Sequence, residues 1–516
     1  MLDLGSSFIA SVVRDPDAIA IVDGSLRLTY REWYGRISAL VASFDRIGLK
    51  PGDHLLTVLQ NRWEAATLHW ACQLAGIVIT PVNWRAKDEE VDYCIENSEA
   101  CAIAYQDVSA EAVQSSKLAH RLQRITVDPA PNDKQAIQFD SMISGAAPDA
   151  MPRVSADAWS IMLYTSGTTS KPKGVPRRHR AERAAGVAHV AQNLYRRKER
   201  TLGVMPLYHT MGVRSLIAMS LIGGTFVCLP RYDSRQALAL IEKEKIDNLY
   251  LVPTLYHDLV HHDDFATTDI STVRKLGFAG ASMTDGLLGK LDELFKPELF
   301  VNHYGSSEIY TFTIEQNAIA KPGSAGKAGI NQHIRVVKLN AKSVAQTADV
   351  NEEGEIIALL ASDEAFEGYW RRPDADAKSL RDGWYFTGDT GFVDRDGDLF
   401  VTGRVDDMII TGGENVSPVE IESCLSLHPA VSEVAVVGLP DEKWGKIVAA
   451  FVKRNAAVTE SDLEQFCQMS GLANFKRPRR FVFVDSIPKS PVGKLLRRLL
   501  AAGEYDLERS PPSNAA

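Results

Sequence analysis

The run TSGTTSKPKG at 165–174 gathers hydroxyls, glycines and two lysines behind the short apolar stretch Ile161-Met162-Leu163. Such a loop suits a polyphosphate. Serine and threonine hydroxyls and unhindered glycine amides donate hydrogen bonds, and Lys171 and Lys173 supply positive charge. It is not the usual NTPase loop, because the fifth residue after Gly167 is Pro172 where GxxxxGK needs glycine. Alone, it also reads as an exposed turn rich in small residues. Four more segments follow in order: YGSSE at 304–308, GWYFTGD at 383–389, GRVDD at 403–407 and PKSPVGK at 488–494. Taken singly, Asp389 and Arg404 read as a hydrogen-bonded turn and a surface ion pair, and Lys494 as a solvated lysine.

These segments need a scaffold, and the chain supplies an alternation of helix and strand. Thr29 and Glu32 form a capping-box signature, after which Trp33, Ile37, Leu40, Phe44 and Ile47 recur at helical spacing until Gly48. Pro51-Gly52 introduces the strand LLTVL, a helical pattern spans Trp63 to Ala75, and Ile77-Val78-Ile79 forms the next strand. Strand, helix, strand implies a parallel sheet covered by helices. The same alternation returns at Gly223 to Pro230, Ala237 to Lys245 and Asn248 to Val252. Beyond Arg404 the texture becomes that of a compact tail, with Ser417, Pro418 and Glu420 marking a capped helix start and Val434 to Val437 a strand. About 110 residues remain there, enough for a small α+β domain. The expected fold is therefore α/β: a large N-terminal multi-sheet domain over 1–404 and a small, mobile C-terminal domain over 405–516.

Composition removes several classes of function. With 516 residues, 45% of them hydrophobic and 24% charged, the chain has ample material for buried cores in at least two domains. A formal charge of −9 provides no cationic field for a phosphate backbone, so nucleic acid is not expected as a partner. Six scattered cysteines without a CxxC pair argue against a disulfide framework or zinc ribbon and fit the cytoplasm. The first residues lack a signal-sequence pattern, and the uncharged stretch Ser215 to Pro230 is too short and glycine-broken for a membrane span. It reads as a buried helix followed by a strand. His257 and His261 stand four apart on a helix near Asp263 and Asp264, but a surface helix end accounts for them better than a metal site. No structural metal is expected.

In their order and spread, the five segments resemble the signature motifs of the ANL superfamily of adenylate-forming enzymes, which includes acyl-CoA synthetases, adenylation domains and luciferases. Within it, MPLYH at 205–209, DGWYFTGD, GRVDDMIITGGENVSPVEIE and FKRPRR most resemble bacterial aryl-CoA ligases of the 4-chlorobenzoate type. The resemblance implies an acid:CoA ligase. A carboxylate is a poor electrophile, so it first attacks the α-phosphorus of ATP, and a thiol then displaces AMP. Fixed donors and a placed cation stabilise the charge that accumulates around phosphorus.

By the same resemblance, Lys494 is the catalytic lysine that bridges the acid and the α-phosphate, and Glu308 coordinates the Mg²⁺ that accompanies ATP. Thr165, Ser166, Gly167, Thr168, Thr169 and Lys173 hold phosphates. Ser307 bonds the α-phosphate in a position where threonine is commoner. Gly280, Ala281, Ser282 and Tyr304 form the wall for adenine, Gly305 also belongs to the ATP site, Asp389 grips the ribose hydroxyls, and Arg404 lies near ribose and phosphate. Ser170 departs from the family's glycine. If that position needs positive φ, serine carries a modest strain. The pivot of domain rotation falls on Asp406. Gly412 and Gly413 border the pantetheine path, and Trp444, Phe475, Arg477 and Arg479 hold the CoA nucleotide. His209, Thr210, Met211, Tyr250, His303, Tyr310 and Thr311 fall in the acyl pocket and are compatible with a ring. Because His303, Tyr310 and Thr311 bring donors, a polar ring substituent such as hydroxyl is expected, unless these groups bond within the wall.

ATP, Mg²⁺ and CoA are thus the expected small molecules and a small aromatic or cyclic carboxylic acid the substrate; a homodimer is allowed. Three alternatives stand: a medium-chain fatty acid:CoA ligase, a free-standing adenylation enzyme that loads a carrier protein, and a silent nucleotide sensor. Arg477, Arg479 and Trp444 favour CoA over a carrier protein, which has no adenosine 3′-phosphate. Lys494, Glu308 and Asp389 speak against the sensor.

Overall fold

Residues 2–165, 172–405, 407–412, 414–489 and 495–509 are described by a computed structural model. Its N-terminal part contains two large sheets. In the seven-stranded sheet, five parallel pairings join the strands from Ile137–Gln138 to Trp159–Thr165, and the antiparallel Lys173–Arg178 closes one edge. The second sheet has fourteen strands. A parallel run that includes Arg200–Gly203, Asn248–Leu251, Lys275–Ala279 and Leu299–Tyr304 passes into an antiparallel half containing Trp384–Val393 and Leu399–Arg404.

Local signals explain these elements. The helix Tyr30–Arg46 starts on a complete capping box: Thr29 accepts from the Glu32 amide, and the Glu32 carboxylate accepts the Thr29 amide at 2.8 Å. Trp63–Ala75 is buried almost all round and ends at Gly76, whose φ of 74° forms the left-handed cap. The uncharged stretch beginning at Ser215 is, as expected, a buried helix, Thr210–Leu221, followed by the strand Thr225–Cys228. Among the described residues no helix is long and apolar enough to cross a membrane.

The tail folds around the sheet Val431–Asp441, Gly445–Arg454 and Arg480–Phe483, with Pro418–Ser426 and Glu460–Met469 packed against it. One expectation fails here. Ser417 does occupy the N-cap, but its hydroxyl makes no cap hydrogen bond and instead donates to the Thr402 carbonyl in the large sheet. The hydroxyl thereby joins two parts of the chain, while Pro418 at the first helical position brings no N–H of its own to satisfy.

Candidate active site

Two carboxylates organise the cleft side of the large sheet. The first, Asp389, lies directly opposite Arg404 in an antiparallel strand pair. Arg404 Nη1 stands 3.1 Å from Asp389 Oδ1, and the Tyr304 hydroxyl donates to Oδ2 at 2.6 Å. Burial, reinforced by Asp389, pushes the Tyr304 phenol far above its usual range, so it remains a donor. Tyr304 ends the strand Leu299–Tyr304, beside the parallel Lys275–Ala279, which continues into Gly280 at φ 83°. Gly280, half-buried Ala281, exposed Ser282 and Tyr304 therefore meet at the carboxyl ends of adjacent parallel strands, where open α/β sheets bind ligands. At Gly305 a Cβ would sit 2.1 Å from the Tyr310 carbonyl oxygen, so only glycine permits the tight return that follows Tyr304.

The second carboxylate, Glu308, is buried and accepts the Tyr369 hydroxyl at 2.6 Å. Lys173 Nζ lies 4.0 Å from the centre of the same Tyr369 ring. Burial pulls the Lys173 ammonium below the usual lysine range, and nearby Glu308 opposes that shift. Thr165 and Lys173 are paired across the hairpin that brackets the hydroxyl-rich loop. The loop residues Ser166, Gly167, Thr168, Thr169, Ser170 and Lys171 lie outside the described residues, as do Asp406, Gly413 and Lys494. The segment carrying Ser307 and Glu308 is clamped from below by Arg177, whose Nη1 donates to the carbonyls of Glu308 at 3.1 Å and Glu364 at 2.8 Å. The Arg177 guanidinium is itself paired with buried Glu182.

The residues expected in the acyl pocket lie near one another. His209 caps the helix Thr210–Leu221 by accepting the Met211 amide at 3.3 Å, and Met211 shares a core cluster with Tyr250. The rings of Tyr250 and His303 are 5.2 Å apart, and burial, with Arg214 adding repulsion, holds His303 well below its usual range and neutral. The polar inventory differs from expectation. The Tyr310 hydroxyl donates to Glu182 at 3.1 Å, Thr311 Oγ1 accepts from Arg214 Nη1 at 2.8 Å, and the Tyr250 hydroxyl accepts from Arg214 Nη2. Tyr310 and Thr311 are thus satisfied within the wall and give no reason to expect a ring hydroxyl.

On the tail, Arg479 stacks on Trp444 at 4.5 Å, and the Gly412 amide donates to the Trp444 carbonyl at 3.0 Å. With φ 59°, Gly412 brings its backbone so near that a Cβ would lie 2.8 Å from the indole. Phe475 is exposed, whereas Arg477 spends its Nε on the Leu472 carbonyl at 2.8 Å.

Sequence reasoning missed Tyr369, Arg177, Glu182 and Arg214. Tyr369 falls in no motif used above, and nothing in the spacing of the other three distinguishes a buried charged residue from a solvated one.

Strand ends that meet at Gly280 to Ser282, a carboxylate paired with Tyr304 and Arg404, and Lys173 and Glu308 on one tyrosine make up the candidate site, and similarity to known proteins specifies the class of enzyme. The family model described as AMP-binding enzyme matches residues 8–370, and that of the AMP-binding enzyme C-terminal domain matches 420–494. The chain belongs to this family of AMP-binding enzymes, in its acyl-CoA synthetase branch. It is 32% identical to a 4-chlorobenzoate–CoA ligase of an Arthrobacter species, over 95% of this chain and 93% of that protein. A long-chain-fatty-acid–CoA ligase of Mycobacterium tuberculosis is 30% identical, over 92% and 93%. Among solved structures, the o-succinylbenzoate CoA synthetase of Bacillus subtilis in complex with its acyl-adenylate intermediate superposes with a TM-score of 0.81 at 27% identity, over 96% of this chain and 97% of that one.

Proposed function

We propose that this enzyme adenylates a small aromatic or cyclic carboxylic acid with ATP and transfers the acyl group to CoA, releasing pyrophosphate and AMP. The observation that carries the reading is the pairing of Asp389, Tyr304 and Arg404 at the mouth of the Gly280 to Ser282 wall, with Glu308 and Lys173 flanking Tyr369 beside it. Asp389 accepts the ribose hydroxyls, and the wall covers adenine. Lys173 neutralises phosphate charge from a half-buried position, where an ammonium acts more strongly than in open water. Glu308 suits Mg²⁺, since a buried carboxylate is a hard oxygen ligand and the ion would supply charge at the phosphates of ATP.

Lys494 is assigned the bridge between the acid carboxylate and the α-phosphate. Once the acyl-adenylate has formed, the division at 404/405, with Asp406 as pivot, lets residues 405–516 turn a second face to the site. Trp444, Phe475, Arg477, Arg479, Gly412 and Gly413 then serve CoA. The stacked Arg479 and Trp444 favour CoA over a carrier protein, because a guanidinium on an indole face suits a phosphorylated nucleotide. For the acid, the support is the cluster of buried aromatic residues Tyr250, His303 and Tyr310, with the first two rings 5.2 Å apart and Arg214 joining Tyr250 to Tyr310. Six free thiols suit the reducing cytoplasm, and sedimentation would separate monomer from homodimer.

The test measures pyrophosphate release and thioester formation with benzoate, hydroxybenzoates, cyclohexanecarboxylate, octanoate and palmitate at saturating ATP and CoA. The reading expects a cyclic acid to have the highest kcat/KM. Preference for palmitate over every cyclic acid overturns the ring pocket, and pyrophosphate release without thioester overturns CoA as acceptor.

A further inference from the structure

Two arginines are fully enclosed beneath the candidate acyl pocket, and they are treated differently. Arg177 is paired directly with Glu182. Arg214, only 2% exposed, has no carboxylate at ion-pair distance among the described residues. Its five N–H groups find three acceptors: Nη1 donates to the Tyr310 carbonyl at 3.0 Å and to Thr311 Oγ1, and Nη2 donates to the Tyr250 hydroxyl. Nε has no described partner. Nε and Nη2 share one edge of the guanidinium, the fork that grips a carboxylate with two parallel hydrogen bonds. An enclosed cation with no directly paired anion is costly to keep, so the free Nε edge suits a counter-charge that arrives with a ligand.

The surroundings agree. The Tyr250 ring lies 4.8 Å from His189 and 5.2 Å from His303, and His189 Nε2 and His303 Nδ1 are both buried without described partners. Asn193 bonds the opposite nitrogen of each ring. Burial keeps both imidazoles neutral, so each can offer an N–H without adding charge. Glu364 is near enough to feel Arg214: burial raises its carboxyl and Arg214 opposes that shift, but its Oε1 accepts from Asn331 at 3.1 Å, its Oε2 has no described partner, and it forms no described ion pair with Arg214. Arg214 also stands one helical turn beyond Thr210 and Met211 on the same face, so whatever it binds lies deeper than the atoms beside His209.

We propose that Arg214 reads a second carboxylate on the acid substrate, at the end remote from the carboxylate that is activated. The substrate class is therefore a diacid, with a ring between its two carboxylates if the proposed cyclic pocket holds; this inference rests on the location of that pocket. A neutral substituent such as hydroxyl accepts from the fork at one point and leaves the charge uncompensated.

The test uses the full-length enzyme and compares kcat/KM for terephthalate and isophthalate with their monomethyl esters and with benzoate. At least one diacid is expected to exceed its own half-ester by about 100-fold or more, as when a buried polar site loses the group it was built to bond. In Arg214→Met that ratio collapses toward one, and in Arg214→Lys part of it survives. A half-ester equal to its diacid in the unaltered enzyme overturns the proposal, as does a ratio that persists in a folded Arg214→Met. If the methionine variant does not fold, the wild-type ratio decides alone. Adipate and suberate with their half-esters separate the two readings: activity only on the aliphatic pair, with the diacid preferred, keeps Arg214 as reader and removes the ring.

Discussion

Replacing Asp389 with asparagine separates a nucleotide-gripping carboxylate from a structural one. In the folded protein the side chain faces Tyr304 at 2.6 Å and Arg404 at 3.1 Å. The amide oxygen can still accept from Tyr304, and the lost ion pair is screened because the Arg404 side chain is 56% exposed. Its contribution to stability is about 0–1 kcal/mol, the range for exposed pairs. Binding should suffer more. Asparagine has one acceptor oxygen, already engaged by Tyr304, so at least one ribose hydroxyl loses a bond to a charged group, at about 1.5–3 kcal/mol. That corresponds to a fall of roughly 10- to 150-fold in kcat/KM for ATP. Pyrophosphate release over a range of ATP concentrations gives the second quantity, and thermal unfolding without nucleotide gives the first. A variant that unfolds many degrees early while its KM for ATP stays put would show the carboxylate holding strands together, and the reasoning would be wrong.

Lys494→Ala should lose acyl-adenylate formation by about two to four orders of magnitude, while synthetic acyl-AMP plus CoA still yields thioester; equal loss in both steps removes its assigned role. Asp406→Pro should leave pyrophosphate release nearly intact and block thioester formation, because proline restricts φ at the pivot; two unchanged steps would move the pivot elsewhere. Arg477→Ala and Arg479→Ala should raise the KM for CoA more than that for ATP or acid, and a larger effect on ATP would relocate these residues. For Lys173, burial lowers the folded-state pKa, so the ammonium is lost at lower pH than in an ordinary lysine and the KM for ATP rises along the alkaline limb. Lys173→Arg should shift that limb to higher pH, and an unchanged limb refutes the assignment. The linkage has the opposite sign for folding: the unfolded chain holds this proton more tightly, so the lysine's contribution to stability grows as pH rises between its folded and ordinary pKa.

Much of the scaffold was legible because its signals are local. The Thr29 and Glu32 box and the Trp63 to Ala75 pattern depend only on neighbours in sequence, and both elements stand where the pattern puts them. Ser417 shows the limit: position marks it as a cap, but the acceptor its hydroxyl uses belongs to another strand. In the site, Asp389, Tyr304 and Glu308 were found through motif resemblance. Tyr369, the partner of Glu308, was not, since that bond spans 61 residues and leaves no periodic trace. Arg214 was hidden for the same reason. Its acceptors on Tyr310 and Thr311 lie 96 and 97 residues away, and an arginine in the helical run TMGVRSLIAMSL gives no local indication that it is enclosed.

Asp389 and Arg404 are cross-strand partners, and Arg404 is also the last residue of its strand. Whatever twists the chain just beyond Arg404 reaches the carboxylate through one backbone ladder and one ion pair, with no chain of side chains between. Such a junction works as a short lever. If Asp389 grips the ribose and the tail turns as proposed, a nucleotide that fixes Asp389 also biases the direction in which residue 405 leaves the sheet, and rotation of the tail loosens the grip by the same free energy, since coupling between two equilibria is reciprocal. Release of AMP and the turning of the tail would then be two readings of one displacement.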